Sequence, residues 1–243
     1  MALGFYGRPG RSELKADGSP VGEADLALDR MLTDELRRLR PGDGLLSEES
    51  GPAGPSARRR WIIDPIDGTE GFLAGQPNWG THLALERDGE IVLGIVSRPV
   101  TGTQWWAVRG AGAFRGDLGP PGSGALQPVR LSPVVSLREA RVTGWKVDSL
   151  LDPLLPEASW FDCEYNDLMA VLEGRAEVMI VPGEVWDHAP FLVLLEESGG
   201  SLFDPEGGHR LDRDLAYYTN GGVDAELTTR LWPARPPRGR ADA

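Results

Sequence analysis

The sequence predicts a mixed α/β fold, and three observations carry that prediction. Ala24 to Leu39 places apolar residues at roughly helical spacing. Trp61-Ile62-Ile63 is a short apolar run of the kind that makes a buried strand. Two further strand-like runs, Thr81 to Glu86 and Glu90 to Ser97, flank the turn pair Asp88-Gly89.

The elements follow in order along the chain. Residues 1–19 are Gly-rich, polar and without periodicity, and read as a loose N-terminal segment. The first helix takes Leu26, Leu28, Met31, Leu32, Leu36 and Leu39 as its apolar stripe and Asp25 near its start. Pro41 and Gly42 stop it. Gly44 to Ser47 leads into the pair Glu48-Glu49. Gly51 to Arg60 reads as a Pro/Gly/Arg loop. The strand Trp61-Ile62-Ile63 ends in a tight turn, Asp64-Pro65-Ile66-Asp67-Gly68-Thr69. Gln104 to Arg109 is a further strand, with loops at Gly110 to Gly112 and Gly116 to Gly124. A helix is expected over Asn166 to Glu173 and a strand over Ala176 to Val181. Trp186 to about Glu197 forms another helix, stopped by Gly199-Gly200. Ser201 to Phe203 and Ala216 to Thr219 are late strands. With no internal repeat and no clear linker, residues 20–233 are expected to be one domain in two lobes, and 234–243 a flexible tail.

Composition narrows the function. At 243 residues the chain is long enough to bury a substantial core, and 40% hydrophobic with 26% charged residues is ordinary for a globular protein. A net charge of −12 argues against binding to nucleic acid or to an anionic membrane. No apolar run approaches the ~20 residues needed to span a bilayer, and no signal peptide is visible. Cys163 is the single cysteine, so no internal disulfide forms and a reducing cytoplasm is the expected setting.

The Asp64 turn is the most informative segment. Two carboxylates three residues apart close a buried strand, at the end of a sheet where ligands bind in α/β folds. Pro65 fixes its φ, and Gly68 permits conformations other residues avoid. Like charges held together raise each other's cost unless a cation relieves it, and oxygen donors favour Mg²⁺ or Mn²⁺ over Zn²⁺. Asp-Pro and Asp-Gly are also ordinary turn formers, so the segment alone leaves a structural turn open.

Its company is what distinguishes it. Trp61 to Thr69 followed by Phe72, with Pro20-Val21-Gly22-Glu23-Ala24-Asp25 and Ser47-Glu48-Glu49-Ser50 upstream and Trp186-Asp187-x-Ala189 downstream, resembles the motif set of the inositol monophosphatase superfamily. These are Mg²⁺-dependent, Li⁺-sensitive phosphomonoesterases with a layered α-β-α-β-α sandwich, commonly dimeric. The resemblance implies metal ligands at Glu48, Asp64, the Ile66 carbonyl, Asp67 and Asp187, with two or three Mg²⁺ ions. It implies that Thr69, supported by Asp25, and Glu48 orient the attacking water, and that Gly68 and Thr69 offer backbone N–H groups to phosphate. Such N–H groups at a helix start suit a phosphate on physical grounds as well. Alternatives stay open for single residues. Asp187 can cap a helix, Asp25 can favour a helix's positive end, and Glu48-Glu49 can be a solvated pair in which Glu49 has no assigned role.

Around the expected site, Pro77-x-Trp79-Gly80-Thr81, Trp105-Trp106 and Glu164-Tyr165-Asn166-Asp167 look most similar to the histidinol-phosphatase branch. Asp167 then meets the cationic amine of the substrate, or else sits in the first turn of a helix. Trp79, Trp105 and Trp106 read as core aromatics, and none of His82, His188 and His209 is taken as a general base. Cys163 shows no activating partner and no Gly-x-Ser-x-Gly elbow occurs, so no covalent nucleophile is expected. The chain departs from the family at Gly22, where Thr is usual, at Pro190, and at Glu70-Gly71. Inositol 1-phosphate and histidinol phosphate are the leading substrates, with bisphosphate nucleotidase and fructose-1,6-bisphosphatase activity as alternatives. A catalytically silent relative that binds metal or a phosphometabolite is the rival of another class. No nucleotide-binding glycine motif is present.

Overall fold

The computed structural model describes residues 2–7, 12–14, 20–55, 57–119, 126–146, 152–164 and 167–233. The expected 234–243 tail lies outside them, as do much of the N-terminal segment and residues Tyr165 and Asn166. The chain divides into two compact units. One is Met1–Val129 with Val185–Glu197, and the other is Arg130–Glu184 with Ser198–Ala243.

The first unit opens with a two-stranded ribbon, β1 (Ser12–Leu14) against β2 (Pro20–Gly22), followed by helix α1 (Glu23–Leu39). Its main sheet has eight strands in the order β10-β9-β8-β7-β6-β5-β3-β4. These are β3 (Gly44–Ser47), β4 (Gly51–Ala53), β5 (Arg59–Asp67), β6 (Gly80–Arg87), β7 (Glu90–Arg98), β8 (Thr103–Val108), β9 (Gly112–Asp117) and β10 (Gln127–Pro128). Every pair is antiparallel except β3–β5. Helix α2 (Thr69–Leu73) follows β5, and α3 (Val185–Glu197) returns from the far part of the chain to pack on β5 to β9.

The β6–β7 hairpin forms as its sequence demands, with Asp88 (φ 55°) and Gly89 (φ 84°) both left-handed at the turn. Trp79, Phe72, Ile66, Leu28 and Ala24 bury together, and Phe72 meets Trp79 edge-on at 4.8 Å. Trp105 is also buried, so Trp79 and Trp105 are core aromatics as expected, whereas Trp106 is half-buried and stacks on the half-buried Phe114.

Several expectations need correction. The apolar stripe of α1 is buried only in part: Leu28 is buried and Leu32 and Leu36 are half-buried, but Leu26, Met31 and Leu39 are exposed, and the rest of the buried face is Ala24, Asp25, Asp29 and Thr33. Its polar members find hydrogen bonds inside, which hydrophobic periodicity does not register. The Gly51 to Arg60 loop contains β4 and the start of β5, and Gly112 opens β9 instead of ending a loop. Strand β5 also runs through Pro65 to Asp67, so the turn begins only at Gly68.

In the second unit the sheet order is β12-β11-β13-β15-β14, with β11 (Arg141–Gly144), β12 (Ser159–Trp160), β13 (Val178–Pro182), β14 (Ser201–Phe203) and β15 (Leu215–Thr219). Helix α4 (Asp224–Leu231) packs Leu227 into a core with Val142, Val178, Ile180 and Tyr217. The helix expected over Asn166 to Glu173 is instead a single 3-10 turn at Leu168–Ala170 followed by turns. Leu168 to Leu172 are all buried. Among the described residues, no helix is long and apolar enough to cross a membrane.

Candidate metal centre

Side chains alternate faces along a strand, so Asp64 and Asp67, an odd number of residues apart, should point to opposite sides of the sheet. The register shows why they do not. Asp64 pairs with His82 and Asp67 with Gly80, three steps on β5 against two on β6. One residue is therefore extra, and this bulge returns Asp67 to the face of Asp64. Pro65, which has no N–H to give the ladder, sits within it, and the Pro65 carbonyl accepts from Thr81 Oγ1 at 2.8 Å.

Three other segments of the same unit converge there. Ser47 of β3 lies beside Ile63 in the parallel pair, and the Glu48 amide donates to the Ile63 carbonyl at 3.0 Å, which delivers Glu48 next to Asp64. Helix α3 brings Asp187. It lies in the first turn of a helix that begins at Val185, so it is not the N-cap. Gly94 of β7 makes the close approach of α3 possible, because a Cβ there would stand 2.5 Å from the Pro190 carbonyl. From α1, Asp25 accepts the Gly22 amide at 2.9 Å and the Thr69 hydroxyl at 3.1 Å, so its capping role and its support of Thr69 coexist. Thr69 Oγ1 is also 3.1 Å from the Ile66 carbonyl. Gly68, left-handed at φ 81°, turns the chain from β5 into α2.

Asp64 is the electrostatic centre. It is 1% exposed, and its Oδ1 has no hydrogen-bond partner. Burial raises its pKa well above the usual carboxylate range, and the neighbouring Glu48, Asp187 and Asp67 raise it further. Burial also raises Asp25, against the lowering pull of its bonds to Gly22 and Thr69. Oxygens of Asp64 and Asp67 and a His82 ring nitrogen lie within 4.8 Å of one another. A buried carboxylate oxygen left without a donor, surrounded by three more carboxylates, fits a hard divalent cation and is costly without one.

Asp167 belongs to the second unit. Its Oδ1 accepts the Met169 amide at 3.2 Å and its Oδ2 is paired with Arg175. Cys163, read from the sequence as lacking a partner, is buried 3.1 Å from Arg175 Nη1. Two neighbours of Asp67 were not singled out as part of the site: His82 Nε2 lies 3.6 Å and Arg98 Nη1 3.9 Å from Asp67 Oδ2. His82 was legible in principle, as a polar residue at an inward position between Gly80 and Ala84.

Fold and site together fit a phosphatase whose buried acidic cluster could hold a cation. Residues 5–235 match the model of the inositol monophosphatase family, and the chain belongs to that family. It is thus a hydrolase of small phosphate esters from a metal-dependent family. It is 45% identical over 227 residues to a Streptomyces griseus protein named glucose-1-phosphate thymidylyltransferase, covering 92% of this chain and 87% of the other. It is 36% identical over 228 residues to the histidinol-phosphatase of Mycobacterium tuberculosis, covering 91% and 88%. Among solved structures, the extragenic suppressor protein suhB of Bartonella henselae superposes with a TM-score of 0.81 at 27% identity, covering 96% and 93%.

Proposed function

We propose that the chain hydrolyses histidinol phosphate or inositol 1-phosphate, with Mg²⁺ held by Glu48, Asp64, Asp67, Asp187 and the Ile66 carbonyl. The observation that carries this is the unpartnered Asp64 Oδ1, buried where Glu48, Asp67 and Asp187 raise its pKa together. Bound divalent ions supply Lewis acidity, activating water and neutralising charge on the phosphate. The residues supply position. Thr69 donates its proton to Asp25 Oδ1, which leaves the lone pairs of Thr69 Oγ1 to accept from the attacking water. Glu48 accepts the water's other proton. The Gly68 and Thr69 amides, at the turn from β5 into α2, face the phosphate oxygens. No covalent intermediate is needed, and the water attacks in line with the leaving oxygen.

Histidinol phosphate is favoured by the 36% identity to a histidinol-phosphatase and inositol 1-phosphate by the family itself. The 45% identity to a protein named as a thymidylyltransferase favours a second reading, attack at phosphorus by a sugar phosphate in place of water. Li⁺ sensitivity and a homodimer in the cytoplasm complete the reading, with bisphosphate nucleotidase or fructose-1,6-bisphosphatase activity as the alternative within the same chemistry.

The test is release of inorganic phosphate from histidinol phosphate, inositol 1-phosphate, glucose 1-phosphate and an adenosine bisphosphate with Mg²⁺. A parallel reaction of dTTP with glucose 1-phosphate is assayed for pyrophosphate. Hydrolysis of one monoester, lost in Asp67→Asn, is the expected result. Pyrophosphate release with no monoester hydrolysis favours the transferase, and silence in every arm favours a binding relative.

A further inference from the structure

His82 is an odd residue for its place. It is fully buried on β6, its ring meets Phe191 of α3 edge-on at 5.3 Å, and neither ring nitrogen has a hydrogen-bond partner. A buried polar group left unpaired is disfavoured, so an apolar residue would serve the core better. The register explains what it faces. His82 is the cross-strand partner of Asp64, on the same face, and the bulge in β5 swings Asp67 round to it.

The two oxygens of Asp67 are in different surroundings. His82 Nε2 and Arg98 Nη1 both approach Oδ2, at 3.6 and 3.9 Å. Arg98 is itself buried beneath Gly80, whose missing Cβ leaves room for it: a Cβ there would lie 3.3 Å from Arg98 Cδ. A guanidinium so close to Oδ2 repels a divalent ion from that side. A cation shared with Asp64 therefore belongs on Oδ1, and Oδ2 belongs to nitrogen donors.

We infer that His82 is a positioning residue for the metal centre, donating its Nε2–H to Asp67 Oδ2 so that Asp67 offers Oδ1 alone to the ion. This rests on the metal-centre reading above. The 3.6 Å separation is longer than a hydrogen bond by about half an ångström, which a small rotation of the carboxylate closes. A neutral imidazole carries a single N–H. The facing carboxylate oxygen selects the tautomer with that proton on Nε2. Hydrogen bonds of this kind fix a ligand's orientation, and their loss typically lowers metal affinity 10–100-fold.

The experiment titrates Mn²⁺ and Mg²⁺ into the metal-free full chain by calorimetry, for the wild type, His82→Leu and His82→Gln. Gln keeps an N–H near the Nε2 position, and Leu keeps only the volume. The expected result is a roughly tenfold or greater loss of Mn²⁺ affinity in His82→Leu, with most of it recovered in His82→Gln. The thermal midpoint of metal-free His82→Leu should equal or exceed that of the wild type. Pulsed electron paramagnetic resonance of the Mn²⁺-loaded wild type should show no directly bound nitrogen. Unchanged affinity in His82→Leu, equal loss in both variants, or a nitrogen bound to Mn²⁺ each overturns the inference. A wild type that binds neither ion overturns the metal-centre reading itself.

Discussion

Replacing Asp64 by Asn should make the metal-free protein more stable and abolish its response to Mg²⁺. The substitution is almost isosteric and removes one negative charge from the cluster. Asp64 and Asp67 present oxygens within 4.8 Å of each other. At an effective dielectric constant of ~20, two unit charges at that distance repel by about 3 kcal/mol, and Glu48 and Asp187 add to this. The sign follows from the raised pKa of Asp64. Its ordinary value is 3.8, and below that value folded and unfolded chains both carry the proton, so no penalty exists. As pH rises toward the native pKa, the unfolded chain ionises at no cost and the folded one resists, so stability falls. Asn removes that fall. In EDTA at about pH 8 the variant should therefore unfold roughly 5–10 °C above the wild type, since 1 kcal/mol moves the midpoint of a chain this size by about 2–4 °C. The difference should vanish below about pH 3, where Asp64 is neutral in both states. Saturating Mg²⁺ should raise the wild type by about 3 kcal/mol at a hundred times the dissociation constant and leave the variant unmoved. Differential scanning calorimetry with EDTA and with Mg²⁺, across that pH range, measures all three quantities. A variant no more stable than the wild type at alkaline pH, or a gap that persists in acid, refutes the reasoning.

Two further outcomes test the scaffold. Asp29 accepts from Ser47 Oγ at 2.5 Å and Ser50 Oγ at 3.3 Å, on either side of Glu48 and Glu49. Asp29→Ala should cost about 1–3 kcal/mol in urea unfolding and lower kcat while changing KM little, because it frees the segment that presents Glu48. Gly94→Ala should cost about 1–3 kcal/mol by overpacking, because its Cβ would stand 2.8 Å from both Pro190 Cα and Val193 Cγ1. As α3 carries Asp187, calorimetry should also find weaker Mg²⁺ binding in that variant.

What was legible in the sequence was local. The β6–β7 hairpin is fixed by Asp88-Gly89, α1 by its helical spacing and its Pro-Gly stop, and the acidic segment is marked by its own residue types although it continues the strand. What escaped depends on partners distant along the chain. Asp25 and Asp29 sit on the buried face of α1 because their partners are Thr69 and Ser47, 44 and 18 residues away. Strand β3 is set by parallel pairing to β5, and β9 by pairing to β8, although Gly112 reads as a loop residue. Short apolar or glycine-bearing runs carry too little periodicity to announce such pairings.

The bulge connects these two kinds of information. In a regular strand, Asp-Pro-x-Asp would place its carboxylates on opposite faces, and no single ion could take both. The motif makes a centre only because one residue drops out of register beside a proline that cannot bond the ladder. The sequence shows the proline and the spacing, while only the fold shows the slip that makes them agree. The same slip brings Asp67 beside His82 and Arg98, so the residue that completes the acidic cluster also meets the cluster's nitrogen donors. A rigid eight-stranded sheet suits this task, since mutually repelling carboxylates relax apart on any support that can yield.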